Sequence, residues 1–214
     1  MNQLPIFVNL SGRKVILLGT GEMADAKRRL YERAGAVIVD DEAASDAALA
    51  VVALEDDEEA LAAVKRLKAR GLLVNAVDRS ALCDYTTPAL VDRDPVLIAI
   101  GTGGASAGLA KSLRQRLEQL IPGNLGSLAS GLSAARDRIK QIWPEGSERR
   151  KAIDAALDPS GVLDVLSENS SANLETWLAM PFATDLSEVE DMLLTSADPD
   201  DLTLRQARLL GRAD

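Results

Sequence analysis

A short apolar run, Lys14-Val-Ile-Leu-Leu18, ends directly in Gly19-Thr-Gly-Glu-Met-Ala24, and a helical pattern follows from Ala24 to Ala34 with Gly35 as its stop. Strand, glycine turn and helix in this order restrict the chain to an α/β design. Gly19 permits the tight turn, Gly21 lets the backbone approach a pyrophosphate, and Ala24 allows close helix-sheet packing. The N-terminus of the helix then offers free N–H groups to phosphate. Ala36-Val-Ile-Val39 reads as a second strand ending in Asp40-Asp41, and Asp40 lies 21 residues beyond Gly19. An acid in that place hydrogen-bonds ribose hydroxyls and disfavours a 2′-phosphate, so the cofactor expected is NAD, held by Gly19, Thr20, Gly21, Glu22, Met23, Ala24, Asp40 and Asp41. A glycine-rich turn without a ligand is the plainer alternative.

The pattern continues with a strand at Ala48 to Ala53, a helix at Asp57 to Ala69 with an acidic first and a basic last turn, and a strand at Leu72 to Asn75. A polar loop, Asp78 to Thr87, leads to two apolar runs within Pro88 to Ile100 that are joined at Asp94-Pro95. The prolines suit a hairpin or bent strand at the sheet edge. Gly101-Thr-Gly-Gly104 opens an amphipathic helix from Ser106 to Leu120, and helical patterns broken at Pro144-Glu-Gly146 and Asp158-Pro-Ser-Gly161 continue to about Met180. The fold expected is α/β, a Rossmann-type parallel sheet followed by helices.

Composition narrows the chemistry. With no histidine, a Ser-His-Asp or Cys-His catalyst and an imidazole zinc site are excluded, and Cys83, the single cysteine, cannot form an intrachain disulfide. One cysteine and the lack of a long apolar run suit a cytoplasmic protein with no membrane partner. Six aromatics and a net charge of −9 argue against nucleic-acid binding. The acidity belongs to the last third: Met1 to Lys151 carries 21 Lys and Arg against 20 Asp and Glu, and Ala152 to Asp214 carries 3 against 13. Lys111, Arg114, Arg116, Arg136, Arg138, Lys140, Arg149, Arg150 and Lys151 concentrate positive charge in one stretch, either to clamp carboxylates or as solvated helix faces.

Two further positions are candidates for chemistry. Asp78 follows a buried strand, where an open α/β sheet places its ligands, and is a candidate proton acceptor; equally, it forms a turn or a cap. Gly101-Thr-Gly-Gly-Ala-Ser106 is either a second anion cradle or a loop in which Ser106 caps the next helix.

Several ordered motifs together resemble one family. Leu4-Pro-Ile-Phe7, the glycine loop followed by Lys27-Arg-Arg-Leu, Asn75-x-x-Asp78, Thr87-Pro-Ala-Leu-Val-Asp-Arg-Asp-Pro-Val-Leu-Ile-Ala-Ile, Gly103-Gly-Ala-Ser106, Leu113-Arg-x-Arg-Leu-Glu118 and Glu148-Arg-Arg-Lys151 are similar to the N-terminal module of siroheme synthase, the precorrin-2 dehydrogenase and sirohydrochlorin ferrochelatase family. The resemblance implies NAD-dependent oxidation of precorrin-2 to sirohydrochlorin, then insertion of Fe²⁺ as a substrate, with no permanent metal site. It implies a homodimer and assigns Asp78 as the acid/base residue, with Ser106, Gly103, Gly104 and Arg114 at the tetrapyrrole. On this reading residues 1–110 bind NAD, 111–150 form a dimerisation and tetrapyrrole-binding helical segment, and 151–180 form a C-terminal helical region. The acidic tail, 181–214, resembles a truncated start of a tetrapyrrole methyltransferase domain; a plain acidic helix is its alternative. The rival functions are a dehydrogenase without chelatase activity and an NAD-sensing regulatory module.

Two positions depart from the family pattern. Only Asp40 to Ala47 separates the second and third strands, eight residues where a parallel crossover usually takes about a dozen or more. Either that part of the pocket is trimmed or the two strands are not paired. Ala107 stands where the family often has proline, which bears on the rigidity of the Ser106 loop.

Overall fold

The computed structural model describes residues 3–159, 161–180, 198 and 201 of the 214-residue chain. Residues up to Ile121 make one compact unit and those from Pro122 a second. In the first unit, β1 (Lys14–Leu18), β2 (Val37–Val39), β3 (Ala47–Val52) and β4 (Leu73–Ala76) form a parallel sheet in the order β2-β1-β3-β4. Helix α1 (Glu22–Arg33) joins β1 to β2, and α2 (Asp57–Ala69) joins β3 to β4. The chain moves outward from β1 in opposite directions in these two halves. Since parallel crossovers are right-handed, opposite directions put the two helices on opposite faces.

Alternation along β1 records the result. Val15 and Leu17 pack with Ala24 and Tyr31 of α1, whereas Ile16 packs with Ala60, Ala63, Val64 and Leu67 of α2. All of these β1 side chains are buried, as expected of a central strand covered on both sides. Asp56 caps α2, its carboxylate accepting the Glu59 N–H at 2.8 Å.

The brief connection after β2 is explained by topology. β2 and β3 are not paired; they flank β1 on its two sides. Val39 ends opposite Ile16 and Ala47 begins opposite Lys14, so the chain must drop about two residues and cross about two strand spacings. Seven residues can span roughly 23 Å, ample for a path of about 12 Å without a helix. Arg66 grips this link through Glu42 at 2.7 and 3.0 Å, and Arg70 donates to the Glu42 and Ala44 carbonyls.

The Pro88 to Ile100 region is indeed a hairpin, with β5 (Ala89–Arg93) antiparallel to β6 (Val96–Ile100) around Asp94-Pro95. It does not extend the edge of the parallel sheet, however; it is a separate two-stranded sheet packed with α3 (Ala107–Leu120). The edge strand β4 is covered by the segment after it. There Cys83 Sγ accepts the Ala76 N–H at 3.2 Å and Asp84 exchanges hydrogen bonds with both backbone groups of Val74. The boundary expected at 110/111 falls inside α3. Arg93 holds that helix in the first unit by donating to the Glu118 and Ile121 carbonyls at its C-terminus, where positive charge is favoured.

The second unit contains α4 (Leu125–Ala134), α5 (Arg136–Ile142), α6 (Gly146–Leu157) and α7 (Leu174–Ala179). Its core gathers Leu128, Ile139, Leu163 and Leu178 around the stacked rings of Trp143 and Trp177, 4.9 Å apart. The tail expected from 181 to 214 lies outside the described residues apart from Asp198 and Asp201.

The chain has only two tyrosines, and their hydroxyls meet at 2.6 Å between α1 and the segment leading to β5. Burial pushes Tyr31 up to about 12 and Tyr85 higher still. A raised folded pKa favours the neutral form in the native state, so this contribution to stability is complete below about pH 10 and lost as pH rises through the folded values. Phenolate absorbance in an alkaline titration is expected to stay low at about pH 11 and to rise only near 12 or above, together with unfolding. An ordinary transition near pH 10 in a folded protein would contradict the pairing.

Candidate functional site

The carboxyl ends of β1, β3 and β4 lie at one edge of the sheet, where the order of strands reverses between β1 and β3. Here a cavity of about 310 Å³ is walled by Leu18, Gly19, Thr20, Arg28, Asp40 and Glu42, with Leu54, Glu59 and Arg66 opposite. Gly19 has φ +119°, and a Cβ on it would sit 2.1 Å from the Ala53 carbonyl oxygen. Gly21 has φ +86° at the N-cap of α1, with nothing within 4 Å of a built Cβ and no side chain capping the helix. The first turn of α1 therefore keeps donors for an external acceptor. An open cradle, a glycine turn and an acid at the end of β2 fit a dinucleotide.

The predicted cofactor residues divide. Gly19, Thr20 and Asp40 are on the wall; Ala24 is buried beneath it; Gly21 is exposed at the helix start. Glu22 and Met23 are exposed on α1 and absent from the wall. Asp41 is also absent from it, because its carboxylate accepts the Ala43 N–H at 2.8 Å and shapes the link to β3.

A larger cavity of about 780 Å³ lies in the same unit, lined from α1, the β4 end, the start of β5, the Gly101–Gly104 turn and α3. Asp78 is on its wall in left-handed conformation, φ +59°, which aspartate tolerates better than most residues. Arg79 fixes the backbone beside it, donating to Asp57 at 2.8 Å and to the Leu54 and Glu55 carbonyls at 3.0 Å. Since Leu54 also lines the smaller cavity, Arg79 ties together the walls of both. Helix α1 does the same, with Arg28 at the smaller cavity and Lys27, Leu30 and Arg33 at the larger.

Gly103, Gly104 and Arg114 are on the larger wall. Ser106 is not: its hydroxyl accepts the Leu109 N–H at 3.1 Å, the capping role. Ala107 then starts α3, the first helical position, where proline would also be accommodated. The basic stretch likewise separates. Lys111 and Arg114 reach the cavity, whereas Arg138 pairs with Glu175, Lys140 with Asp137, and Arg149 donates to the Trp143 and Pro144 carbonyls within the second unit.

Sequence reasoning assigned no role to four wall residues. Asn75 is buried, its amide donating to the Tyr85 carbonyl at 3.0 Å, and among the described residues its enclosed Oδ1 has no hydrogen-bond partner. Lys27 donates to Thr87 Oγ1 at 2.5 Å; burial lowers its pKa, opposed by the charges of Cys83 and Asp78. With Arg79 and Cys83 they come together only in three dimensions, and spacing carries no sign of it.

The fold and the glycine turn define a Rossmann-like dinucleotide-binding unit, and residues 33–89 match a family model described as putative NAD(P)-binding. Over the full chain, curated siroheme synthases from Methylobacillus flagellatus and Ectopseudomonas mendocina are each 34% identical, aligned over 52% of their own length. The chain thus spans about half the length of these relatives, and the resemblance read from its motifs is borne out. The solved structure of SirC, precorrin-2 dehydrogenase, shares the fold, with a TM-score of 0.62 at 20% identity, covering 83% of this chain and 99% of that one. Among the described residues no helix is long and apolar enough to cross a membrane.

The two glycines of the turn separate packing from ligand approach. Gly19→Ala forces a side chain into the β3 backbone and is expected to cost about 1–3 kcal/mol or more. Gly21→Ala meets open space and bears only the strain of its φ +86°, ψ −173° backbone, roughly 1–3 kcal/mol, a strain that Gly19→Ala adds to its overlap. Denaturant midpoints of the two variants check this order; equal midpoints would contradict the close contact at Gly19.

Proposed function

We propose that this chain oxidises precorrin-2 to sirohydrochlorin with NAD⁺ and then assists insertion of Fe²⁺ as the metal substrate. The observation that carries the reading is the pairing of two cavities joined by Arg79 and α1, one with the dinucleotide turn and one with Asp78 and cationic side chains. Gly19 and Thr20 would hold the pyrophosphate side of NAD, with Asp40 at a ribose. The cofactor supplies a hydride acceptor when bound.

The work left to this chain is orientation and proton handling. Precorrin-2 carries eight carboxylates, which Arg33, Lys111 and Arg114 complement. Asp78, an exposed carboxylate on the wall, accepts protons released by the ring during oxidation and, later, from the pyrrole nitrogens as iron enters. Gly103 and Gly104, with φ of +61° and +84°, bring backbone close to the ligand.

We further propose a homodimer in the cytoplasm. Leu97 on β6 and Leu109, Leu113 and Leu120 on α3 are exposed, an apolar surface suited to a second copy. Cys83, an unpaired thiol held by the β4 backbone, suits a reducing compartment.

Incubation of the protein with precorrin-2 and NAD⁺ should produce sirohydrochlorin absorbance; no turnover with NAD⁺ or NADP⁺ overturns the reading. Asp78→Asn keeps a left-handed-tolerant side chain and is expected to lower the rate about 10²- to 10⁴-fold while NAD binding persists. Supplied sirohydrochlorin and Fe²⁺ without NAD measure the second activity alone. Asp40→Asn should narrow the preference for NAD⁺ over NADP⁺ by roughly tenfold or more, read from the ratio of kcat/KM values.

A further inference from the structure

Lys27 is the one lysine on the larger wall that is withdrawn from solvent, on the second turn of the helix that begins at the dinucleotide turn. An ammonium has three donors. Only one is used here, on the neutral Thr87 hydroxyl at 2.5 Å, and among the described residues no carboxylate lies within 4.0 Å of it. Of the other cations on this wall, Arg114 pairs with Glu118 at 3.1 Å, Arg79 with Asp57 at 2.6 Å and Arg33 with Asp92 at 3.7 Å, and Lys111 is exposed. Withdrawing an ammonium from water is costly unless its remaining donors find an acceptor, and a negative one offsets most. Thr87 also fixes the aim of a side chain that would otherwise be mobile, so the two idle donors are held in place before any ligand arrives.

We propose that Lys27 is an anchoring cation of the larger cavity, binding one carboxylate of the tetrapyrrole on the side nearest the dinucleotide turn. The inference rests on the function proposed above and deepens it by naming a specificity-determining contact. Because α1 carries both the cation and the donors of the first turn, one rigid element positions a substrate carboxylate relative to the cofactor site. A tetrapyrrole lacking the acid group would lose this alignment even if its ring still entered.

The test compares sirohydrochlorin with its fully methyl-esterified form, titrated against wild type, Lys27→Met, Lys27→Arg and Thr87→Val. In wild type the acid is expected to bind well above the ester. Lys27→Met should weaken acid binding about 10- to 100-fold, the range of a charged hydrogen bond, and leave ester binding within about twofold. Lys27→Arg should restore most of the acid preference, and Thr87→Val should lose part of it. NADH binding should be unchanged in all four proteins. Equal acid binding by wild type and Lys27→Met overturns the anchor, and so does equal loss of both ligands, which marks a packing role. If Lys27→Met does not fold, an acid preference undiminished in Thr87→Val overturns the aimed anchor. Failure of wild type to bind sirohydrochlorin at all overturns the function on which the inference rests.

Discussion

At Gly19 the end of β1 passes so close to β3 that even a methyl group would overlap the Ala53 carbonyl. This crossing lies where the chain, having built β1, α1 and β2 in one direction, resumes with β3 on the other side of β1. The reversal sends α1 and α2 to opposite faces and opens a gap above the strand ends that neither helix fills. Both cavities descend from it: the smaller lies over the Gly19 turn, and the larger extends from the β4 end toward the hairpin and α3. Arg79 then consolidates the rim, since its guanidinium joins the loop after β3 to the loop after β4 through four acceptors. Asp78, the residue immediately before it, inherits a fixed backbone.

What the sequence disclosed was whatever depends on neighbours a few residues apart. The α2 range was legible because its charges follow the dipole, and β1 because an apolar run met a glycine turn. The role of Ser106 could not be chosen from spacing, since a cap and a cradle demand the same residues; only the Leu109 N–H decides. Pairing was less accessible still. Eight residues between two strands looked too few for a crossover, yet the shortness of β2 brings its end almost level with the start of β3. The hairpin was readable as a hairpin, but its detachment from the parallel sheet depends on residues 82–85 covering β4, a contact in which Cys83 acts as a backbone partner.

The charge pattern shows the same division between local and global information. A run of basic residues from Lys111 to Lys151 reads as one patch along the chain, but α3 ends and a second unit begins within it. Arg138 and Arg149 answer needs internal to their helices, an acid on α7 and the carbonyls that follow α5. The cations at the larger cavity come instead from α1 and α3, far apart in sequence, with Arg93 and Glu118 fixing α3 against β5. Glu118 is held below the usual carboxylate range by that contact with Arg93, and Arg114 shares it.

The lack of histidine acquires a physical meaning in this setting. A proton acceptor near neutral pH is ordinarily an imidazole, whereas here the larger wall offers an exposed carboxylate and a half-withdrawn ammonium. On the function proposed above the carboxylate would take protons and pass them to water, and the ammonium would fix a negative group. A macrocycle edged with carboxylates and carrying N–H groups at its centre is the kind of molecule for which these two groups, at one wall and with no imidazole, would form a complementary pair.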